Sequence, residues 1–425
     1  MPNFDIALSG LNADSTALNT IANNLSNMST TGFKAQTTNF SDMFYQSLGT
    51  TGSGDPIQVG SGTQVGSTTS DFSQGSSDTT GTTSSDMEVN GNGFFVVSDG
   101  SQNYLTRDGS FTSDTSGNLI TTNGDTLMGY AATNGTISST TLSAITLPTS
   151  GSVMAPSASS NFTITANLDS ADANGTTYTS TAKLYDSLGD AHTATITYTK
   201  TANNTWSYSA ALPASDFTSG VSTPVTGTLN FDASGNLTSV TTGGVTSTVG
   251  TATGDVSTLA VGFTGLADGA TALSTKWNLL NTSGNQILTQ VDSDSATTAS
   301  VADGYPAGTY SSFAVASDGS VNASYSNGQT QLVGQVALGN VTNEQGLQAL
   351  GSGLYQTTEA SGTANIAIAG SGGLGTVTDS SLEASNVDIS TEFSQLIIAQ
   401  RAFEANSKTI TTFDTVTQDA IGMIR

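Results

Sequence analysis

Apolar residues recur at helical spacing at the two ends of this chain and at strand spacing between them. Phe4, Leu11, Leu18 and Leu25 fall seven apart, and Ala7, Leu8, Ile21, Ala22 and Met28 widen the stripe. The remaining positions of that segment are Asn, Ser, Thr and Asp, so the pattern predicts a helix with a single apolar seam. Asn3 is placed to cap its start and Gly32 to end the stretch that follows it. About 24 residues at a rise of 1.5 Å span roughly 36 Å. The far end repeats the pattern with Ile389, Leu396, Phe403 and Ile410, then Thr417 and Ile424. Phe393, Ile397, Ala399, Phe413, Ala420 and Ile421 thicken it, and Asp388 or Ser390 can cap it. Gly and Pro are absent from 389–421, so this helix can run on the order of 50 Å.

Helices this polar on one side gain little stability alone and are held by packing of the apolar face. Two matching stripes at opposite ends of one chain predict an intramolecular coiled coil. Phe393, Phe403 and Phe413 make the second stripe broader than a two-stranded seam requires. The surplus is expected to be buried against other copies of the chain; a closed hairpin that buries both stripes is the plainer reading.

The middle reads as β structure. Residues 35–86 carry little core signal beyond Phe40, Met43, Phe44 and Tyr45 and are expected to be an extended connector, together with 371–381. MEVNGNGFFVV at 87–97 predicts two strands around a Gly-rich turn. YLTRDGSF at 104–111 and GNLITTNGDTLMGY at 117–130 predict hairpins turning at Asp108-Gly109 and Asn123-Gly124. Alternating segments at 162–168, 181–189, 194–199, 206–212, 226–232 and 276–281 predict a separate sandwich or barrel over 150–298. Strands return in 299–370 and are expected to complete the unit begun at 87–149. The fold class is therefore mainly β with terminal α-helices. A helical core of 1–34 and 382–425 carries an inner antiparallel β domain (87–149 and 299–370) and an outer one (150–298), nested in that order.

Composition narrows the function classes. The chain has 425 residues, 47 Gly and only 7 Pro, which suits turn-rich β structure. Its net charge is −25, from 33 acids against 8 bases, and most of it lies between the helices. Such a surface argues against nucleic acid, which needs clustered Lys and Arg. No run approaches the length of a membrane span, and MPNFDIALSGLNADS lacks the pattern of a cleaved signal. There is no Cys, which excludes disulfides and thiolate metal sites.

Catalytic chemistry finds little support. The one His, His192, lies near Asp186 and Asp190, and a surface turn between two strands explains the three. Gly91-Asn92-Gly93 sits between strands, so it is not a phosphate loop. Asp108 and Asp114 lack the spacing of a calcium loop. No enzyme activity and no cofactor are expected.

NNLSNMSTTGFK at 23–34 and ALSGL at 7–11 resemble the signature of flagellar rod and hook proteins. SLEASNVDISTEFSQLIIAQRAFEANSKTITTFDTV at 381–416 is similar to the C-terminal signature of that family. NGNGFFVV at 90–97, LTRDGSF at 105–111 and VALGNVTNEQGLQALGSGLYQTT at 336–358 resemble its internal marks. FTITANLDS at 162–170 and LYDSLGDAH at 184–192, inside the large insertion, look like the hook branch. The resemblance implies a structural subunit that self-assembles into a curved tube joining rod to filament, extracellular and exported by the flagellar type III apparatus without a cleaved signal. It implies contacts with a cap protein, a distal rod protein and a hook–filament junction protein. The alternatives are a rod-type axial protein with an enlarged outer domain and a non-flagellar surface adhesin. The expected polymerisation contact comprises Phe4, Leu8, Leu11, Leu18, Ile21, Leu25, Phe393, Leu396, Ile397, Phe403, Ile410, Phe413 and Ile421. Asn23, Asn24, Asn27, Thr31, Gly32, Phe33 and Lys34 are expected to turn the chain out of the helical core, with Gly32 supplying positive φ.

Overall fold

The computed structural model describes residues 4–80, 82–133, 135–137 and 141–423; the expected cap Asn3 and the heptad position Ile424 lie outside them. The chain forms two compact units. One comprises residues 1–150, 311–324 and 330–425, and the other residues 151–310 with 325–329.

The first unit carries both helices, α1 (Phe4–Ser26) and α2 (Ile389–Gly422), packed on one another. Asp388 caps α2, accepting from the Ser390 and Thr391 amides, as the sequence leads one to expect. The segment after α1 is not an extended connector. It folds into a long two-stranded ribbon in which β1 (Gln36–Asp42) pairs with β4 (Thr63–Ser70), and β2 (Tyr45–Thr50) with β3 (Pro56–Gly60), all antiparallel. Its side chains are mostly polar and its strands largely exposed, so periodicity gave no core signal. Strand pairing by the backbone needs none.

The strands Phe94–Ser98, Asn103–Thr106, Thr126–Thr133 and Thr330–Asn340 build the β part of this unit. Thr330–Asn340 pairs with Thr126–Thr133 at Gly129↔Val336 and with Phe94–Ser98 at Leu338↔Phe95, so chain from beyond the insertion completes the earlier sheet. Phe95, Val97, Phe111, Leu119, Leu127, Val336 and Leu338 fill the core on one side; Phe94, Val96, Leu105 and Tyr355 form a smaller one on the other. That double burial explains why NGFFVV reads as a continuous apolar run rather than an alternating one. The Asn123-Gly124 turn forms as expected, with Gly124 at φ +93°. The Asp108-Gly109 hairpin does not. Asn103–Thr106 pairs instead with Phe94–Ser98 and Leu354–Gln356, and Met87–Asn90 pairs with Thr376–Asp379. Gly109 is needed for close approach, because a Cβ there would run into the Met87 backbone carbonyl, and the Met87 N–H donates to the Gly109 carbonyl at 3.0 Å.

The second unit is two sheets around one core. Thr177–Tyr185, Ala191–Ala202, Thr205–Ala211, Val225–Phe231, Leu237–Thr242 and Val245–Thr248 run as a six-stranded antiparallel meander. The other sheet is mixed. Asn161–Asp169 pairs in parallel with Leu273–Asn278 and Leu288–Val291 and antiparallel with Ala296–Ala302. Inward residues alternate strictly with outward ones along Asn161–Asp169 and Thr205–Ala211. Trp206, Trp277, Tyr198, Tyr208, Phe162 and Phe263 are fully buried between the sheets, with Trp277 stacked on Phe162 at 6.1 Å. The buried Trp206 indole N–H donates to Gln290 Oε1 at 3.0 Å. The strand Val153–Met154 pairs with Thr309 and Gly308, so the chain enters and leaves this unit at adjacent points. His192 departs from the surface-turn expectation. The turn 186–190 exists, but the ring is buried on Ala191–Ala202.

Candidate assembly interface

The helix pair is antiparallel, and its polar contacts set the register. The Phe4 ring meets Phe413 edge-on at 6.0 Å. Asn406 Nδ2 donates to Asp14 Oδ2 at 2.8 Å, opposite Gly10, where a Cβ would lie 2.8 Å from the same amide nitrogen. Asn24 Nδ2 donates to Glu392 Oε1 at 2.9 Å at the other end. On α2 the buried or half-buried positions Glu392, Leu396, Ala399, Phe403, Asn406, Ile410, Phe413 and Thr417 follow the three-and-four spacing of one seam, and half-buried Ala402 and Ser407 flank it. On α1, Ile21 is buried and Leu11, Leu18 and Leu25 are half-buried.

The expected contact residues therefore divide. Leu11, Leu18, Ile21, Leu25, Leu396, Phe403, Ile410 and Phe413 are at least half withdrawn from solvent within the single chain. Phe4, Leu8, Phe393, Ile397 and Ile421 stay exposed, Phe393 by 49% and Ile397 by 58%. Ile398 and Val416, which the heptad count passed over, are exposed beside them. The ribbon adds apolar surface of its own, with Phe44 91% exposed and Leu48, Ile57 and Val59 also bare. Phe44 and Tyr45 were the visible signal. Between α1, β1 and α2 lies an open groove lined by Ala17, Ile21, Phe40, Ile398 and Ala402.

The signature after α1 is a buried polar junction. Asn24, only 1% exposed, donates to the Gln36 carbonyl at 2.7 Å and accepts from the Gln36 amide at 2.9 Å, tying α1, β1 and α2 together. Asn27 closes the helix end, its Nδ2 donating to the Asn23 carbonyl at 2.9 Å and to Asn23 Oδ1 at 3.2 Å. Thr31 and Phe33 are half-buried, and the Phe33 carbonyl accepts from the Asn386 amide at 3.4 Å. Gly32 sits at φ +66° and donates to the Glu383 carbonyl at 2.7 Å; a Cβ there would meet the Arg107 backbone at 2.6 Å. Only Gly meets both conditions.

Lys34 then enters a buried ionic node. Its ammonium donates to Glu383 Oε1 and to the Ser73 carbonyl, both at 2.6 Å, while Arg107 Nη1 lies 3.2 Å from Glu383 Oε2 and its Nη2 donates to the Gly91 carbonyl at 2.8 Å. Desolvation lowers the Lys34 pKa below its ordinary value, and the Glu383 hydrogen bond works against that fall. One carboxylate thus holds two cations that lie 349 and 276 residues before it in the sequence. Glu383 and Arg107 were missed as partners of Lys34. The available signal was scarcity, since only 8 basic residues exist in the chain and Lys34 and Arg107 are two of the four that stand in signature motifs.

Models of known families match four stretches of the chain. Residues 4–34 match flagella basal body rod protein, 88–167 the flagellar hook protein FlgE/F/G D1 domain, 156–305 the flagellar basal body protein FlaE D2 domain, and 378–423 the flagellar basal body rod FlgEFG protein C-terminal model. The chain is 34% identical to the flagellar hook protein FlgE of Salmonella typhimurium over 99% of both chains. It is 31% identical to that of Treponema pallidum over 98% of both. Its fold is similar to the crystal structure of Helicobacter pylori flagellar hook protein FlgE2, at a TM-score of 0.53 and 14% identity, over 73% of this chain and all of that one. The chain belongs to the flagellar hook protein family and is a structural subunit of the hook.

Proposed function

We propose that subunits join through the apolar face of α2 that the α1–α2 seam leaves bare. Phe393, Ile397 and Val416 on one copy, with Ile421 on the seam side beyond the Phe4–Phe413 contact, dock against the ribbon of its neighbours and the α1–β1–α2 groove that Ile398 lines. The observation that carries this reading is the exposure of large aliphatic and aromatic side chains along α2 although α1 already covers its other side. A face that meets a different surface on the next copy gives a contact that does not close on itself and grows an open helical tube. Full burial of a Phe or Ile side chain stabilises by about 1.5–3 kcal/mol, so a few per contact outweigh the ordering of one subunit. Replacing Phe393 and Ile397 with Asp should leave a folded monomer by circular dichroism and raise the concentration needed for assembly by a hundredfold or more, on the order of 3 kcal/mol. Tubes of normal length by electron microscopy would overturn the proposal.

The insertion 151–310 works as the outer part of the tube and sets its bending. Its core is closed and its surface polar and acidic, so contacts between neighbouring insertions can slide as a curved joint turns. Because the chain enters and leaves it at adjacent points, a short linker can replace it. Tubes of the excised chain should form with changed curvature or stiffness, and unchanged curvature contradicts this part. Export by the type III apparatus as an uncleaved chain, an extracellular place in the hook, a non-enzymatic role, and contacts with a cap protein, the distal rod and the hook–filament junction belong to the same proposal. The absence of Cys supports threading through a narrow channel. No helix among the described residues is long and apolar enough to cross a membrane.

A further inference from the structure

At one end of the insertion unit, three segments far apart in sequence converge on the buried His192 ring. The turn after Thr177–Tyr185 brings Asp186, the short 3-10 turn Ala214–Asp216 brings Asp216, and the loop after Thr258–Phe263 brings Asp268. The two ring nitrogens are treated differently. Nδ1 lies 2.9 Å from Asp216 Oδ2, an ordinary charge-assisted hydrogen bond. Nε2 faces two carboxylates at once, Asp186 Oδ2 at 3.2 Å and Asp268 Oδ2 at 3.4 Å. One N–H proton cannot serve both well: Asp186 lies at the long end of hydrogen-bond range and Asp268 beyond it. Among the described residues this is the one place where three metal-capable side chains present donor atoms to a common point, all within 4.8 Å of one another.

We propose that Asp186, His192 and Asp268 bind a divalent transition-metal ion of the Zn²⁺ or Mn²⁺ class, with Asp216 orienting the imidazole from behind. Metal–ligand bonds of about 2.0–2.2 Å set neighbouring donor atoms about 3.0–3.5 Å apart, which is the spacing found around Nε2. A ligating imidazole that donates its other N–H to a carboxylate is the usual arrangement for such ions, because it fixes the tautomer and aims the lone pair. Here Asp216 occupies that outer position. Asp186 is held rigidly, its Oδ1 accepting from the Leu188, Gly189 and Asp190 amides at 2.8–2.9 Å while Oδ2 stays turned to the ring. The Asp186 side chain is fully buried and that of Asp268 one-fifth exposed, which gives the ion a route in. Three carboxylates around one imidazole leave excess negative charge even when the ring is doubly protonated, and a divalent ion replacing the Nε2 proton neutralises more of it. The nitrogen ligand selects against Ca²⁺ and Mg²⁺, which take all-oxygen shells. Bound, the ion would pin the 186–190 turn and the loop of Asp268 to the strand that carries His192.

The test uses the full chain, stripped with chelator and dialysed against Zn²⁺ or Mn²⁺ at neutral pH with excess Ca²⁺ to fill weak surface sites. One tightly held ion per chain is expected, with a higher melting temperature that chelator reverses. Co²⁺ in its place should give visible bands of a low-coordinate nitrogen–oxygen site. Asp268→Asn, at the most exposed ligand, should weaken Zn²⁺ at least tenfold while the metal-free melting temperature stays near that of the parent; His192→Gln should also abolish tight Zn²⁺ binding, and because it removes a buried ring bonded to Asp216 it should lower the metal-free melting temperature as well. Absence of a stoichiometric ion, or equal binding in the parent and both variants, overturns the proposal. So does a His192 ring that retains both N–H protons by ¹⁵N magnetic resonance at saturating Zn²⁺.

Discussion

Two regions of this subunit treat their large apolar side chains in opposite ways. In residues 151–310 the bulkiest of them, Trp206, Trp277, Tyr198 and Phe162, are buried completely within the unit. On α2 the side chains of Phe393, Ile397, Ile398 and Val416 stand in solvent, although α2 is the longest helix among the described residues and is already packed on α1. The first region is a finished domain that owes its stability to itself. The second keeps apolar side chains in solvent, and these are the ones we propose a neighbouring copy covers. A single chain can thus be stable as a monomer and still carry a surface that favours growth, with the two properties assigned to different residues.

The contrast is sharpest where a substitution should act on one property and spare the other. Trp277→Ala removes a fully buried ring from the insertion core and should cost about 3–5 kcal/mol. In calorimetry of the monomer that loss should fall on the insertion's transition and leave the helical unit's alone. Glu383→Gln removes the carboxylate that holds both Lys34 and Arg107 in a buried site, and the cost should be about 3 kcal/mol, now confined to the unit that carries the helices. Ile397→Ala should change monomer stability by less than about 0.5 kcal/mol and yet raise the assembly concentration severalfold. Should Ile397→Ala destabilise the monomer as much as Trp277→Ala does, the division between the two regions fails.

Much of this architecture was legible from periodicity. The heptads located both helices, and alternation located Asn161–Asp169, Ala191–Ala202 and Thr205–Ala211 closely, because each buries one face against a single core. Three things were hidden for physical reasons. The β1–β4 ribbon is held by backbone pairing on an exposed segment, so its side chains carry no burial pattern. The parallel pairs of Asn161–Asp169 join strands more than a hundred residues apart, and period alone says nothing of partners or direction. The Gly109 turn was misjudged because Asp-Gly marks a place where a side chain cannot fit, and here the reason is contact with Met87 rather than a hairpin. The candidate interface was half legible. The heptad count found the apolar residues of α2 but could not say which row α1 would cover. That depends on contacts such as Asn24–Glu392 and Asp14–Asn406, which fix the rotation of one helix against the other.

The most direct test of the exposed-face account exploits a chain without cysteine. Ile397→Cys places one thiol on the bare row of α2, and its rate of maleimide labelling reads solvent access in the monomer and in assembled tubes. The account predicts rapid labelling of the monomer and strong protection in the tube. Equal rates in both states would contradict it.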